Sequence, residues 1–229
     1  MPTGALVYDG DKKIVVPDVH IQTWHDNPKL EMHEPKGVHQ RPADTEITQI
    51  VLHWTASERV GQSGAERTFD NMGHRKDAGA HIVVTNEGNG WQGADLTRMY
   101  TSHVSHRIVK PKSIGIEVSC YGWVPKGQPI PSLGKARERY KAKIQGWRPE
   151  VANYFPEQQA FINAVCTAMC EELGIPKVVM LEPFETRSNQ ELREFKGVLG
   201  HLHCALGDHP KSDPGTKPLI ALAQHFGQV

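Results

Sequence analysis

The segment ITQIVLHWTA, residues 47–56, constrains this chain more than any other stretch. It is an apolar, β-rich run that reads as a buried strand, and it ends near a histidine, His53. A buried strand needs neighbours, and the sequence offers them at intervals. Residues 80–96 (AHIVVTNEGNGWQGADL) read as a strand, a Gly/Asn turn and a second strand. Residues 112–119 (KSIGIEVS) read as another strand, ending near Glu117, and residues 196–205 (KGVLGHLHCA) as a short one.

Helical patterns lie between these strands. Residues 63–75 carry Ser63 and, three positions on, Glu66, a capping-box pattern. Residues 156–175 place apolar side chains at helical spacing. Shorter helices are expected near 189–195 and 218–227. Strands alternating with helices, interrupted by one hairpin, predict an α/β domain with a mixed central β-sheet flanked by helices. That domain is expected over residues 46–229. Residues 1–45 are polar and broken by Pro and Gly, with His20, His25, His33 and His39 scattered through them. They read as an arm or irregular lead-in with a short strand near Lys13–Val16. Residues 120–155 read as an inserted excursion, rich in basic residues, over the surface.

Composition narrows the classes. With 229 residues, 38% hydrophobic and 23% charged, the chain can bury a core of one domain's size. Lys+Arg and Asp+Glu both number 26, so the formal charge is zero, which argues against a broad nucleic-acid footprint. No basic start precedes an apolar stretch, and no run of 18 apolar residues occurs, so neither a secretory signal nor a membrane span is expected. Cys120, Cys166, Cys170 and Cys204 form no CxxC pair and read as reduced, buried thiols.

The chemistry-bearing residues gather at the strand ends. His201 and His203 form an HxH pair which, on a strand, would place both side chains on one face. His53 ends another strand, and Asp213 lies in the Gly/Pro-rich loop that follows the pair. Two histidines, an aspartate and one open position make a catalytic zinc site, which supplies hydroxide at neutral pH. Glu117 could take the proton of the water, and Lys211 could stabilise an oxyanion. Taken singly, each residue has an ordinary reading. The histidines are structural, Glu117 is a solvated or salt-bridged carboxylate, Lys211 a solvated loop lysine and Asp213 a turn former.

Taken in series, four segments resemble the type 2 N-acetylmuramoyl-L-alanine amidases: IVLHWTA, AHIVVTNEGNGWQG, SIGIEVS, and GVLGH followed by KSDPG. The resemblance runs from about residue 46 to 216 and fits poorly over 120–155. It implies hydrolysis of the amide between N-acetylmuramic acid and L-alanine in peptidoglycan, with Zn2+ as cofactor. His53 and Asp213 would be metal ligands, Glu117 the catalytic glutamate and Lys211 the lysine that steadies the transition state. The Gly-His pair favours His201 as the remaining ligand, whereas the interval to the aspartate favours His203. A third arrangement uses His53, His201 and His203, with Asp213 only shaping the turn. His81 is expected as a structural or supporting residue, and His103 as a substrate-binding residue of the cleft.

The expected partner is peptidoglycan or a soluble muropeptide, bound by a monomer, with no nucleic acid. A phage lysin is the preferred setting, made without a signal peptide and released to the cell wall by a membrane-permeabilising partner. A cytoplasmic muropeptide-recycling amidase and a non-catalytic peptidoglycan-binding module are the alternatives.

Overall fold

The computed structural model describes residues 3–32, 37–75, 78–124, 137–144, 149–205 and 211–229. The chain opens on a hairpin. Strand β1 (Thr3–Tyr8) pairs antiparallel with β2 (Lys12–Pro17), across a turn in which Asp9 and Gly10 take positive φ. Short strands β3 (Ile21–Thr23) and β4 (Val38–Gln40) follow. The short strand expected near Lys13–Val16 is β2, and the rest of the lead-in, expected to be irregular, is also built into the fold, with Leu6, Ile14 and Val16 in the main core. His33 lies outside the described residues.

Strand β5 (Gln49–Trp54) is the expected buried strand. Helix α1 (Gly61–Gly73) starts two residues before the expected cap. Val60 holds the cap position with no side-chain bond, and Glu66 instead accepts from Asn27 and Gln62. Strands β6 (Ile82–Val84) and β7 (Gly90–Gln92) form the expected hairpin, and β8 (Met99–Thr101) pairs with β4. Strand β9 (Ser113–Val118) carries Glu117.

Of the basic excursion, residues 125–136 and 145–148 lie outside the described residues. Its remaining parts form an antiparallel pair, β10 (Arg139–Lys141) and β11 (Glu150–Ala152). Val124, Ala142, Ile144 and Val151 from this segment reach the main core, so it is more than a surface loop. Helix α2 (Pro156–Leu173) begins on a proline, whose missing N–H costs nothing there, and ends at the left-handed Gly174. Helix α3 (Asn189–Glu194) is capped reciprocally by Ser188 and Glu191. Strand β12 (Gly197–Gly200) and helix α4 (Lys217–His225) complete the chain.

Six strands form one mixed sheet in the order β12-β5-β9-β6-β7-β3. The strands β12, β5, β9 and β6 run parallel, and β7 turns back against β6. Side chains alternate across the sheet. Ile50, Leu52, Ile82, Val84, Ile114 and Ile116 face α2 and α4 in the main core. On the other face, Val83 packs with Phe69 of α1, and Val51 and Leu199 pack with Leu192 of α3. All four cysteines are buried and free, and no described helix is long and apolar enough to cross a membrane.

Candidate active site

The alternation that points Val51 at the α1/α3 face points His53 the same way, and Glu117 is out of phase with the core-facing Ile114 and Ile116. His53 and Glu117 are also paired in register on adjacent parallel strands. Neighbouring strands lie about 4.8 Å apart, so the two side chains leave the sheet side by side. His201 follows directly on β12, the other neighbour of β5. Asp213 is brought to the same place by the returning loop, whose Asp213 carbonyl accepts from the Leu202 N–H at 2.9 Å. Gly200 permits that approach: a Cβ there would lie 2.5 Å from the Pro214 ring.

Three atoms converge as a result. His53 Nδ1 lies 3.2 Å from His201 Nδ1 and 3.2 Å from Asp213 Oδ2, and His201 Nδ1 lies 2.9 Å from the same oxygen. Tetrahedral zinc with bonds near 2.0–2.1 Å would set its ligand atoms about 3.3 Å apart. The triangle is therefore of the right size and composition for that ion. It is the one such group of His, Cys, Asp or Glu among the described residues.

The protonation states suit a metal as well. Burial pushes His53 down to about 4, so its imidazole is neutral at pH 7. Burial alone would raise Asp213, but His201 and His53 beside it outweigh this and hold its carboxyl well below the usual range.

A chain of hydrogen bonds fixes the His53 tautomer. The Val109 carbonyl can only accept, so the Ser113 hydroxyl donates to it at 2.8 Å. Ser113 Oγ then accepts from His103 Nε2 at 2.9 Å, leaving His103 Nδ1 to accept from His53 Nε2 at 3.0 Å. With its proton on Nε2, His53 turns the Nδ1 lone pair into the triangle. His103 is thus buried behind His53, not in the cleft where the sequence led us to expect it. Burial keeps it neutral. A Cβ at Gly115 would lie 2.4 Å from its ring, so the Ser and Gly of the SIGIE segment both serve His103. His81 is buried beside it, its Nδ1 accepting from the Gly115 N–H at 3.0 Å.

The HxH pair divides. The strand stops at Gly200, and His201–Cys204 form a tight 3-10 turn. Side chains two apart on such a turn diverge, where on a strand they would align. His203 stacks on Phe184 with ring centroids 6.3 Å apart and accepts at Nδ1 from the Gly200 N–H. It has no part in the triangle, where both the His203 alternative and the three-histidine arrangement would need it.

Glu117 is partly exposed as a residue, yet its Oε2 is enclosed and has no hydrogen-bond partner among the described residues. Burial, and then the Asp213 charge, raise its carboxyl well above the usual range. It lines a cavity of about 230 Å³ with Trp54, Thr55, Arg59 and Asn71. Lys211 is exposed, and its charge acts on His53. A larger hollow of about 530 Å³, lined by Tyr8, Arg41 and Arg98 among others, contains none of these residues.

A family model described as N-acetylmuramoyl-L-alanine amidase matches residues 43–216. No curated protein matches the sequence. Among solved structures, the chain is similar to a Staphylococcus aureus hydrolase, AmiA, in complex with its ligand. The identity is 15%, covering 93% of this chain and 87% of that one, with a TM-score of 0.52. It is also similar to an endolysin N-acetylmuramoyl-L-alanine amidase, LysCS, from Clostridium intestinale. There the identity is 10%, covering 93% and 97%, with a TM-score of 0.50. At such identities these likenesses speak for the fold.

Proposed function

The chain belongs to the N-acetylmuramoyl-L-alanine amidase family, and we propose that it is a zinc-dependent member that hydrolyses the amide between N-acetylmuramic acid and L-alanine in peptidoglycan. One observation carries the reading: the convergence of His53, His201 and Asp213 beside the enclosed, unpartnered Glu117 oxygen. Those three residues would hold a zinc ion, which when bound would supply a water of pKa near 7 and Lewis-acid assistance at the scissile carbonyl.

The protein's own residues do the rest. Glu117 takes the proton of the attacking water and passes it to the leaving amine. Burial, and then the Asp213 charge, raise its carboxyl, and a dication held in the triangle would offset that charge and favour the carboxylate a base needs. Lys211, two residues before Asp213, stabilises the developing oxyanion.

Of the settings, we favour a lysin acting on intact wall. Residues 121–150 carry seven Lys or Arg against two Glu, an excess suited to an extended polymer bearing carboxylates.

The test is digestion of purified peptidoglycan, with products identified by mass spectrometry, with and without a zinc chelator. Stem peptides beginning at L-alanine, lost on chelation and restored by zinc, are expected. Glu117→Gln should lose turnover by roughly 10²–10⁴-fold while keeping its zinc. No release from intact wall or soluble muropeptides by a zinc-loaded protein overturns the amidase reading in favour of a binding module. Faster release from soluble fragments than from wall overturns the lysin setting alone.

A further inference from the structure

Two tyrosines from the segment between β9 and α2 reach the backbone that carries the triangle. The buried Tyr154 hydroxyl donates to the His53 carbonyl at 2.7 Å. The Tyr140 hydroxyl accepts from the N–H groups of Thr216 and Lys217, at 2.9 and 3.1 Å. These amides lie three and four residues after Asp213 and open helix α4, where N–H groups have no helical partner. Thr216 itself makes no side-chain cap, so Tyr140 caps the helix from outside. Between them, Gly215 at φ +84° leaves the room: a Cβ there would lie 2.3 Å from the Tyr140 oxygen.

The chemistry of each hydroxyl fits its task. A phenol oxygen has two lone pairs and can accept two amides at once, while its O–H can donate to a carbonyl. Neither tyrosine touches a side chain of the triangle in these contacts. Each holds the main chain on which a ligand is mounted, one on β5 and one just after the loop.

We propose that Tyr140 and Tyr154 are positioning residues that fix His53 and Asp213 at metal-binding separation, and so tie β10 and the residues just before α2 to the metal site. This rests on the reading of the triangle as a zinc site. Groups that orient metal ligands from behind are commonly worth 10–100-fold in metal affinity.

The experiment compares Tyr140→Phe, Tyr154→Phe and the double variant with wild type. Zinc affinity is read by competition with a chromogenic chelator, ligand geometry by the visible spectrum of the cobalt-substituted protein, and fold by melting of the metal-free protein. Tyr8→Phe serves as a control, since it removes a hydroxyl bonded to Glu172 away from the site. About tenfold weaker zinc binding in each single variant, with an altered cobalt spectrum and the control unchanged, is expected. Zinc affinity within twofold of wild type in both variants overturns the proposal, whether or not melting drops. The wild type is measured first: if it binds no zinc at one per chain, the metal reading itself fails, separately from the tyrosines.

Discussion

His103 Nδ1 lies 3.0 Å from His53 Nε2, on the edge of the imidazole turned away from Asp213. The contact has one job that no neighbouring residue duplicates: it commits the His53 proton to Nε2. His103→Leu should therefore weaken zinc binding by about 10–100-fold. His103→Asn, which keeps an acceptor in reach of Nε2, should recover part of the loss. Isothermal titration with zinc separates the cases, and an unchanged affinity in His103→Leu would remove His103 from the site.

His201 and His203 should part company on mutation. His201→Ala removes an atom of the triangle, and zinc binding should fall below detection at micromolar metal while the metal-free melting point holds. His203→Ala leaves a void against Phe184 and a Gly200 N–H without its acceptor, at a cost of about 1–3 kcal/mol. It should melt several degrees lower yet bind zinc normally. A reversed pattern would return the ligand role to His203.

These two residues also mark where the sequence stops being legible. His53, Glu117 and Asp213 could be singled out because each sits at a strand end or in a turn whose motif is local. Choosing between His201 and His203 depended on whether the strand continued past Gly200, and a single 3-10 turn decides it. The strands of the central sheet followed from apolar runs, and β2 was expected near Lys13–Val16, whereas β1 escaped notice because its burial, with Leu6 and Val7 adjacent, keeps no period of two. Tyr154 lies 101 residues from His53 and Tyr140 lies 76 from Thr216, so no spacing rule could connect them. Arg137 sits in a stretch that reads as solvated surface, and only the fold reveals its partners.

Those partners make Arg137 a test of how the excursion is held. Its side chain is fully buried, paired with Glu58 at 2.6 Å, bonded to the Ser119 carbonyl and stacked over Phe155 at 3.8 Å. Removing one member of such a pair strands the other charge, at about 3–5 kcal/mol. Glu58→Gln and Arg137→Met should each lower the melting point by roughly 10 °C. The double variant should lose less than the sum of the two. Additive losses, or shifts under 2 °C, would show that the pair does not anchor the segment.

Stability of the metal-free protein should depend on pH through Glu117. Burial and the Asp213 charge raise its carboxyl above the ordinary 4.5 in the folded state, so the native protein holds that proton more tightly than the unfolded chain. The associated stability is present below pH 4.5 and is lost as pH rises toward the folded value. Glu117→Gln is neutral throughout and escapes the loss. Its melting point should therefore match wild type near pH 4.5 and exceed it increasingly above, by up to about 3–5 °C per pH unit until the wild-type carboxyl ionises. Asp213 works in the opposite sense, since its depressed carboxyl contributes above the ordinary 3.8 and loses that contribution as pH falls. Both proteins share it, so it cancels in the comparison. Adding zinc should shrink the gap between variant and wild type, because a cation in the triangle favours the ionised Glu117. A gap that is the same at pH 5 and pH 8 without metal would mean that Glu117 is ionised across the range and is not held in reserve as a proton acceptor by its burial.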